Sequence, residues 1–174
     1  MGEKLLPLSM QELCAHALEL ERDAGARFRE YAKRMRELGS ERVAREFDAM
    51  VLEQETETRA LQAAAGNHPP AELTPWEHAW RRTYLPDGLD GQPRAVPADA
   101  REALEYAALA KRRAERFYRD VADHTVNDIV RSCADEMAAA ERRQILRIEM
   151  LLAWVSGESG PPAASWDGDA RLSR

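Results

Sequence analysis

The sequence predicts an all-α protein, a four-helix bundle made of two helical hairpins joined by a long crossover. Four stretches carry apolar residues at alternating steps of three and four, which places them on one face of a helix. Glycine and proline separate these stretches, at Gly39 and across residues 66–98, where they interrupt helices. The chain is 44% hydrophobic but only 6% aromatic, a composition typical of helical bundles.

The first hairpin is predicted from two helices with a tight connection. Ser9 followed by Glu12 has the spacing of a capping box, which starts a helix over about 9–38. Gly39 ends this helix, and the next residue can cap a second helix over about 41–65. Because the connection is so short, we expect the two helices to run antiparallel.

The second hairpin is predicted to follow a crossover, residues 66–98, whose prolines and glycines forbid a long helix. A third helix is predicted over about 99–124 and a fourth over about 127–156. We expect one domain over residues 1–156, followed by a flexible tail, 157–174, that is rich in Gly, Ser and Pro. The crossover is long enough to retrace a helix of about 37 Å, which would bring the four helix midpoints to one level.

Each of the four apolar faces is interrupted near its middle by polar residues. They are Glu21 in the first helix, Gln54 and Glu57 in the second, Lys111 in the third, and Glu141 and Gln144 in the fourth. The two hairpins repeat each other weakly, and shifts of 90 and 87 positions superpose these polar residues. The pattern therefore predicts one buried polar site at the centre of the bundle.

Four segments around these positions follow a recognisable pattern: Glu21–Phe28, Phe47–Glu57, Ala110–Tyr118 and Met137–Ile145. Over about residues 10–65 and 99–152 the chain resembles the rubrerythrin branch of the ferritin-like superfamily. In that family a Glu on each of two helices and Glu-x-x-His on the other two hold two iron ions for oxidase, peroxidase or storage chemistry. The resemblance implies a ferritin-like bundle, with Glu21, Glu57 and Glu141 as candidate metal ligands.

The chain departs from that family at four of the six ligand positions. Gln54 stands where a Glu is expected, Glu57 and Gln144 stand for the two His, and Lys111 stands for a Glu. An ammonium group brings positive charge, three donors and no lone pair, so Lys111 should repel a metal ion. A one-residue register slip on the second helix would offer Glu53 and Glu55 as different ligands.

Two interpretations of the polar site stay open. In the first, Lys111 replaces the lost metal charge in a metal-free network without a cofactor, and the protein is a scaffold or an accessory protein rather than an enzyme. In the second, Glu21, Glu57 and Glu141 bind iron or another divalent metal in an oxidoreductase that acts on oxygen or peroxide. Tyr118, one heptad after Lys111, would then be an electron donor or a hydrogen-bonding neighbour.

Composition narrows the possible partners. The formal net charge of −6 argues against a broad surface for nucleic acid or anionic membranes. The sequence has no signal-peptide core and no apolar run of about 18 residues, so we expect a cytoplasmic protein. Cys14 and Cys133 lack metal-ligand spacing and are expected to be buried free thiols. A homodimer or higher homo-oligomer is expected, with a possible protein partner.

Overall fold

A computed structural model describes residues 9–64 and 96–162, and these residues form four helices. Helix α1 spans Met10–Glu37, α2 spans Glu41–Ala64, α3 spans Ala100–His124 and α4 spans Asp128–Val155. No strand occurs within these two ranges. The predicted all-α four-helix bundle is confirmed, and each helix ends within one residue of its predicted bounds.

Part of the predicted organisation lies outside the described residues. This applies to the crossover up to residue 95 and to the tail beyond residue 162. The boundary of the domain at residue 156 stays a prediction. No helix in the described ranges is long and apolar enough to cross a membrane.

Side-chain caps fix the helix ends that the sequence predicted. The Ser9 hydroxyl accepts a hydrogen bond from the backbone N–H of Glu12, and the Glu12 carboxylate accepts one from the N–H of Ser9, both at 3.2 Å. Asp99 and Asn127 cap α3 and α4 in a similar way through their side-chain oxygens. Gly39, with φ of +74°, ends the first hairpin's turn in a left-handed conformation that favours glycine.

Two apolar clusters fill the interior of the bundle. One, which we call the Phe47 cluster, includes the buried residues Phe28, Tyr31, Ala32, Met35, Val43, Ala44, Phe47, Met50, Val51, Ala103, Leu104, Ala107, Ala108, Ile148 and Leu151. The other, the Phe117 cluster, includes Leu13, Ala17, Leu20, Ala114, Phe117, Tyr118, Val121, Ala122, Val130, Ala134 and Ala138. Each cluster draws residues from one end of the bundle, which supports a core that runs along its whole length.

The membership of the two clusters gives the helix directions. Helices α1 and α4 run towards the Phe47 cluster, whereas α2 and α3 run away from it. Each hairpin is therefore antiparallel, and α2 ends at the opposite end of the bundle from the start of α3. A hydrogen bond of 3.2 Å from Arg34 Nε to the carbonyl of Pro97 ties the end of α1 to the start of α3.

Candidate functional site

A layer of polar side chains lies between the two apolar clusters. Glu21, Gln54, Lys111, Glu141 and Gln144 are all buried there, and Glu57 is half-buried. The structure thus brings together all six polar positions predicted from the interrupted helix faces, with Tyr118 buried beside them. Each helix contributes at least one of these residues, because the hairpin topology brings the midpoints of the helices together.

Lys111 occupies the middle of this layer. Its ammonium nitrogen lies 3.2 Å from both carboxylate oxygens of Glu141 and 3.9 Å from Glu21 Oε2. It also lies 5.6 Å from the centre of the Phe28 ring, within reach of a cation–π interaction. The positive charge therefore stands between carboxylates from α1 and α4.

Two glutamines connect α2 with α4 on the other side of the layer. Gln54 Nε2 donates to Gln144 Oε1 at 3.3 Å and to Glu57 Oε2 at 3.4 Å. Gln144 Nε2 donates to Glu57 Oε1 at 3.4 Å. Both oxygens of the Glu57 carboxylate thus accept hydrogen bonds from glutamine amides.

Tyr118 supplies a further donor to the layer. Its hydroxyl donates to Glu21 Oε1 at 3.4 Å. Burial, followed by the negative charges of Glu21 and Glu141, raises the pKa of the Tyr118 phenol well above its ordinary value. The phenol therefore keeps its proton at neutral pH.

The charges of the layer shift the pKa values of its members. Burial lowers the pKa of Lys111, but the carboxylates of Glu141, Glu21 and Glu57 outweigh this effect, so the pKa is raised and the ammonium stays charged. Burial raises the pKa of Glu141 to about 8, although Lys111 opposes the shift. Burial and the charge of Glu21 also raise the pKa of Glu57. Glu57 and Glu141 therefore retain their protons to higher pH than exposed carboxylates do.

Three buried acceptors in the layer lack hydrogen-bond donors. Within the described part of the chain, Glu21 Oε2, Gln54 Oε1 and Glu141 Oε2 accept no hydrogen bond, although Glu141 Oε2 is in ion-pair contact with Lys111. Glu21 is 5% exposed and Gln54 is 1% exposed, so bulk water does not satisfy these atoms freely. A buried acceptor without a donor is costly, which indicates that the layer has capacity for an additional donor.

Two cavities reach the polar layer. The α2–α4 cavity, of about 380 Å³, is lined by Glu21, Glu57, Ala60, Leu61, Tyr118, Cys133, Glu136, Met137, Ala140, Glu141 and Arg143. The α1–α2 cavity, of about 480 Å³, is lined by Glu21, Arg22, Gly25, Arg29, Gln54, Glu55, Thr58 and Arg59. Glu21 lines both cavities, which therefore lie on two sides of the same residue.

The donor set does not fit an ordinary two-iron centre. The Lys111 ammonium contacts Glu141 and lies near Glu21, and it has positive charge and no lone pair with which to bind a metal. In residues 9–64 and 96–162, no group of three His, Cys, Asp or Glu side chains is arranged to hold a metal ion. A role of Glu21, Glu57 and Glu141 as metal ligands therefore stays a prediction.

The structure also answers the question of a register slip on α2. Glu53 pairs with Arg147, and Glu55 pairs with Arg29 at 2.7 Å on the exposed surface. Both carboxylates are directed to partners outside the polar layer. Gln54 and Glu57 keep the inward positions that the helical spacing predicted.

Sequence reasoning missed a second buried ion pair, between α4 and α2. Arg147 Nε and Nη2 both donate to Glu46 Oε2, at 3.1 and 2.8 Å, and Nη1 donates to Glu53. Glu46 and Arg147 are both buried. Glu46 and Glu53 are seven residues apart and therefore lie on one face of α2. This spacing could have predicted that the two carboxylates share a cationic partner.

The two cysteines were predicted as buried free thiols. Both are free; Cys14 is buried, whereas Cys133 is only half-buried and lines the α2–α4 cavity. Burial raises the pKa of both thiols, so neither is an activated thiolate at neutral pH.

Comparison with known proteins adds support for the fold. No family model and no curated protein sequence matches the chain. Among solved structures, an uncharacterized conserved protein from Magnetospirillum magnetotacticum MS-1 is similar, with a TM-score of 0.70 and 19% sequence identity. The match covers 89% of this chain and 98% of that one. At this identity the likeness shows that the two proteins share the four-helix fold.

Proposed function

We propose that this chain is a divergent relative of rubrerythrins and other ferritin-like proteins, and that the Lys111 ion-pair network has replaced their diiron site. The protein would then work without a metal, as a scaffold or an accessory protein. The helix directions, the matched polar positions in both hairpins and the similar solved fold support this kinship.

The position of the Lys111 ammonium is the observation that carries the proposal. It contacts Glu141 at 3.2 Å and stands 3.9 Å from Glu21. At an effective dielectric constant of about 20, a divalent ion about 4 Å from this charge would meet a repulsion of about 8 kcal/mol. The ammonium supplies the positive charge that the carboxylates need and at the same time disfavours a metal.

Elemental analysis of the purified protein, followed by an Fe(II) titration with and without air, tests this proposal. We expect no stoichiometric metal and no Fe(II)-dependent oxygen uptake. Stoichiometric binding accompanied by oxygen uptake would contradict the proposal.

A charge variant tests the role assigned to Lys111. Lys111→Glu restores the residue type of the related iron proteins and should gain Fe(II) affinity. Lys33→Glu, at an exposed position on α1, makes the same charge change away from the layer and should gain none. If Lys111→Glu also gains none, the ammonium is not what excludes the metal.

One observation favours a second candidate function, a metal-dependent oxidoreductase with non-standard ligands. Glu21, Glu57, Glu141 and Tyr118 all line the α2–α4 cavity, which could admit oxygen or peroxide. This candidate requires Fe(II) binding by the unmodified protein that Glu57→Gln abolishes. Glu105→Gln, at an exposed position on α3, is the matched control and should leave that binding intact.

Two further expectations belong to this proposal. Exposed apolar side chains at Leu109, Leu146 and Met150 support a homo-oligomer or a protein partner that uses the outer faces of α3 and α4. The free thiols of Cys14 and Cys133 support a reducing compartment such as the cytoplasm.

A further inference from the structure

The α2–α4 cavity combines an acidic floor with apolar walls. Glu21, Glu57 and Glu141 line it, and so do Leu61 and Met137; we call the three carboxylates its floor and the apolar side chains its wall. Its volume of about 380 Å³ is within the lower range of small-molecule sites, about 300–1,000 Å³. The cavity can therefore hold a small organic molecule.

The floor of this cavity has a surplus of acceptors. The Tyr118 hydroxyl is used by Glu21, the Lys111 ammonium by Glu141, and the Gln144 amide by Glu57. Glu21 Oε2 is left without a hydrogen-bond donor among the described residues, although its side chain is almost fully buried. A ligand that complements this floor must bring N–H or O–H donors.

Charge decides which kind of donor fits. Glu21, Glu57 and Glu141 outnumber the single ammonium of Lys111, and Glu136 and Arg143, which also line the cavity, carry opposite charges. A cationic ligand is therefore favoured over a neutral or anionic one, and it would displace the proton that Glu141 holds at neutral pH. A small metal ion gains nothing from Leu61 and Met137, whereas an alkyl chain gains the burial of its apolar surface. The ligand that satisfies both halves of the cavity carries a cationic head and an apolar body.

We propose that the α2–α4 cavity binds a primary alkylammonium ion. Its three N–H donors would reach the carboxylates of Glu21, Glu57 and Glu141, and its chain would lie along Leu61 and Met137. This inference rests on the proposed function, because a metal held by the same carboxylates would exclude the ammonium. It adds a ligand class to a site that is otherwise only a structural network.

Calorimetric titration of the full chain with n-pentylammonium chloride at neutral pH tests the binding. We expect saturable binding of one ion per chain. The matched ligand 1-pentanol has the same chain without the charge, and we expect it to bind at least about tenfold more weakly, since hydrogen bonds from a charged donor are stronger than those from a neutral one. Equal binding of the two ligands would overturn the proposal, because the cavity would then be a merely apolar pocket.

Two variants test whether the ion binds in this cavity. Glu21→Gln removes charge from the floor and should raise the Kd for n-pentylammonium about tenfold. Met137→Lys adds a lysine ammonium group to the cavity wall. This group would compete for the same carboxylates, so we expect it to abolish binding of the added amine. Ile129→Lys makes the same change at an exposed position of α4 and should leave the Kd unchanged. Unaltered binding in both Glu21→Gln and Met137→Lys would contradict the assignment to this cavity.

An Fe(II) titration in parallel separates this inference from the function on which it rests. Absence of both metal and amine binding would overturn only the alkylammonium site. Stoichiometric Fe(II) binding that displaces the amine would overturn the metal-free function. The same result would support the alkylammonium site, because it would show that metal and amine use the same carboxylates. Stoichiometric Fe(II) binding without any amine binding would overturn both.

Discussion

The Phe47 cluster and the Phe117 cluster fill opposite ends of one bundle but are built differently. In the first, the Phe47 ring contacts the rings of Phe28 and Tyr31, with centroid distances of 5.8 and 5.5 Å. Each cluster includes five buried alanines, but these are five of 15 buried residues in the first and five of 11 in the second. The second cluster also borders the α2–α4 cavity, since Leu61 and Met137 pack against it and line that cavity.

This difference indicates that one end of the bundle mainly provides stability, whereas the other end borders the α2–α4 cavity; we call this the proposed division. None of the residues that line the two cavities belongs to the Phe47 cluster. The Phe47 cluster has more buried apolar residues than the Phe117 cluster, so we expect that end to contribute more to stability. At the other end, the α2–α4 cavity lies beside Leu61, Met137 and the polar layer.

The largest expected effect is on stability at the Phe47 end. Phe47 is fully buried, so Phe47→Ala should lower the free energy of unfolding by about 3–5 kcal/mol. Leu61→Ala, at a half-buried position on the cavity wall, should cost much less because the cavity already exists there. Urea denaturation followed by circular dichroism measures both, and equal losses would contradict the proposed division.

Removing the cation from the polar layer should have the next largest effect. Lys111→Met keeps most of the length of the side chain but leaves Glu21, and above about pH 8 also Glu141, without a counter-charge, at a cost of about 3 kcal/mol at that pH. Adding Glu141→Gln to the same chain should recover most of this loss, because one uncompensated charge disappears. If the double variant is no more stable than Lys111→Met, the two residues are not energetically coupled.

The pH dependence of stability provides a smaller, graded effect. The pKa of Glu141 is raised from 4.5 to about 8 by burial, so the folded state binds its proton more tightly than the unfolded chain does. Stability from this group is complete below about pH 4.5 and is lost as the pH rises to about 8, at up to about 1.4 kcal/mol per pH unit. Glu57, whose pKa is also raised, acts in the same direction.

Urea denaturation between pH 5 and pH 8 measures this slope, and Glu141→Gln should flatten most of it. Glu105→Gln, at an exposed position, should leave the slope unchanged. An unaltered slope in Glu141→Gln would assign the pH dependence to other groups.

Periodicity and capping residues were sufficient to predict the four helices and the inward positions of their polar residues. Glu21 and Lys111 could be placed on inward faces because each interrupts an apolar repeat. The register slip towards Glu53 and Glu55 could not be decided from one helix alone. It depended on Arg147 and Arg29, which lie on α4 and α1 and pair with these carboxylates across helix boundaries.

The cavities and the protonation of the layer were beyond sequence reasoning for a physical reason. A cavity is the space left after packing, so it depends on how Leu61 and Met137 fit together rather than on their spacing. The pKa of Glu141 depends on its burial and on the position of Lys111, both of which are three-dimensional quantities. Hydrophobic pattern predicts which residues face inwards but not how completely they fill the space there.

The links across the polar layer make the two hairpins specific for one another. Lys111 and Tyr118 on the second hairpin reach Glu21 on the first, and Gln144 and Arg147 reach residues of α2. Sliding one hairpin along the other by a turn would leave these groups buried without partners, even where the apolar residues could repack. The polar layer therefore determines how the two hairpins align. A hairpin from an unrelated bundle with only an apolar face would leave these polar groups buried without partners, so its pairing would be disfavoured.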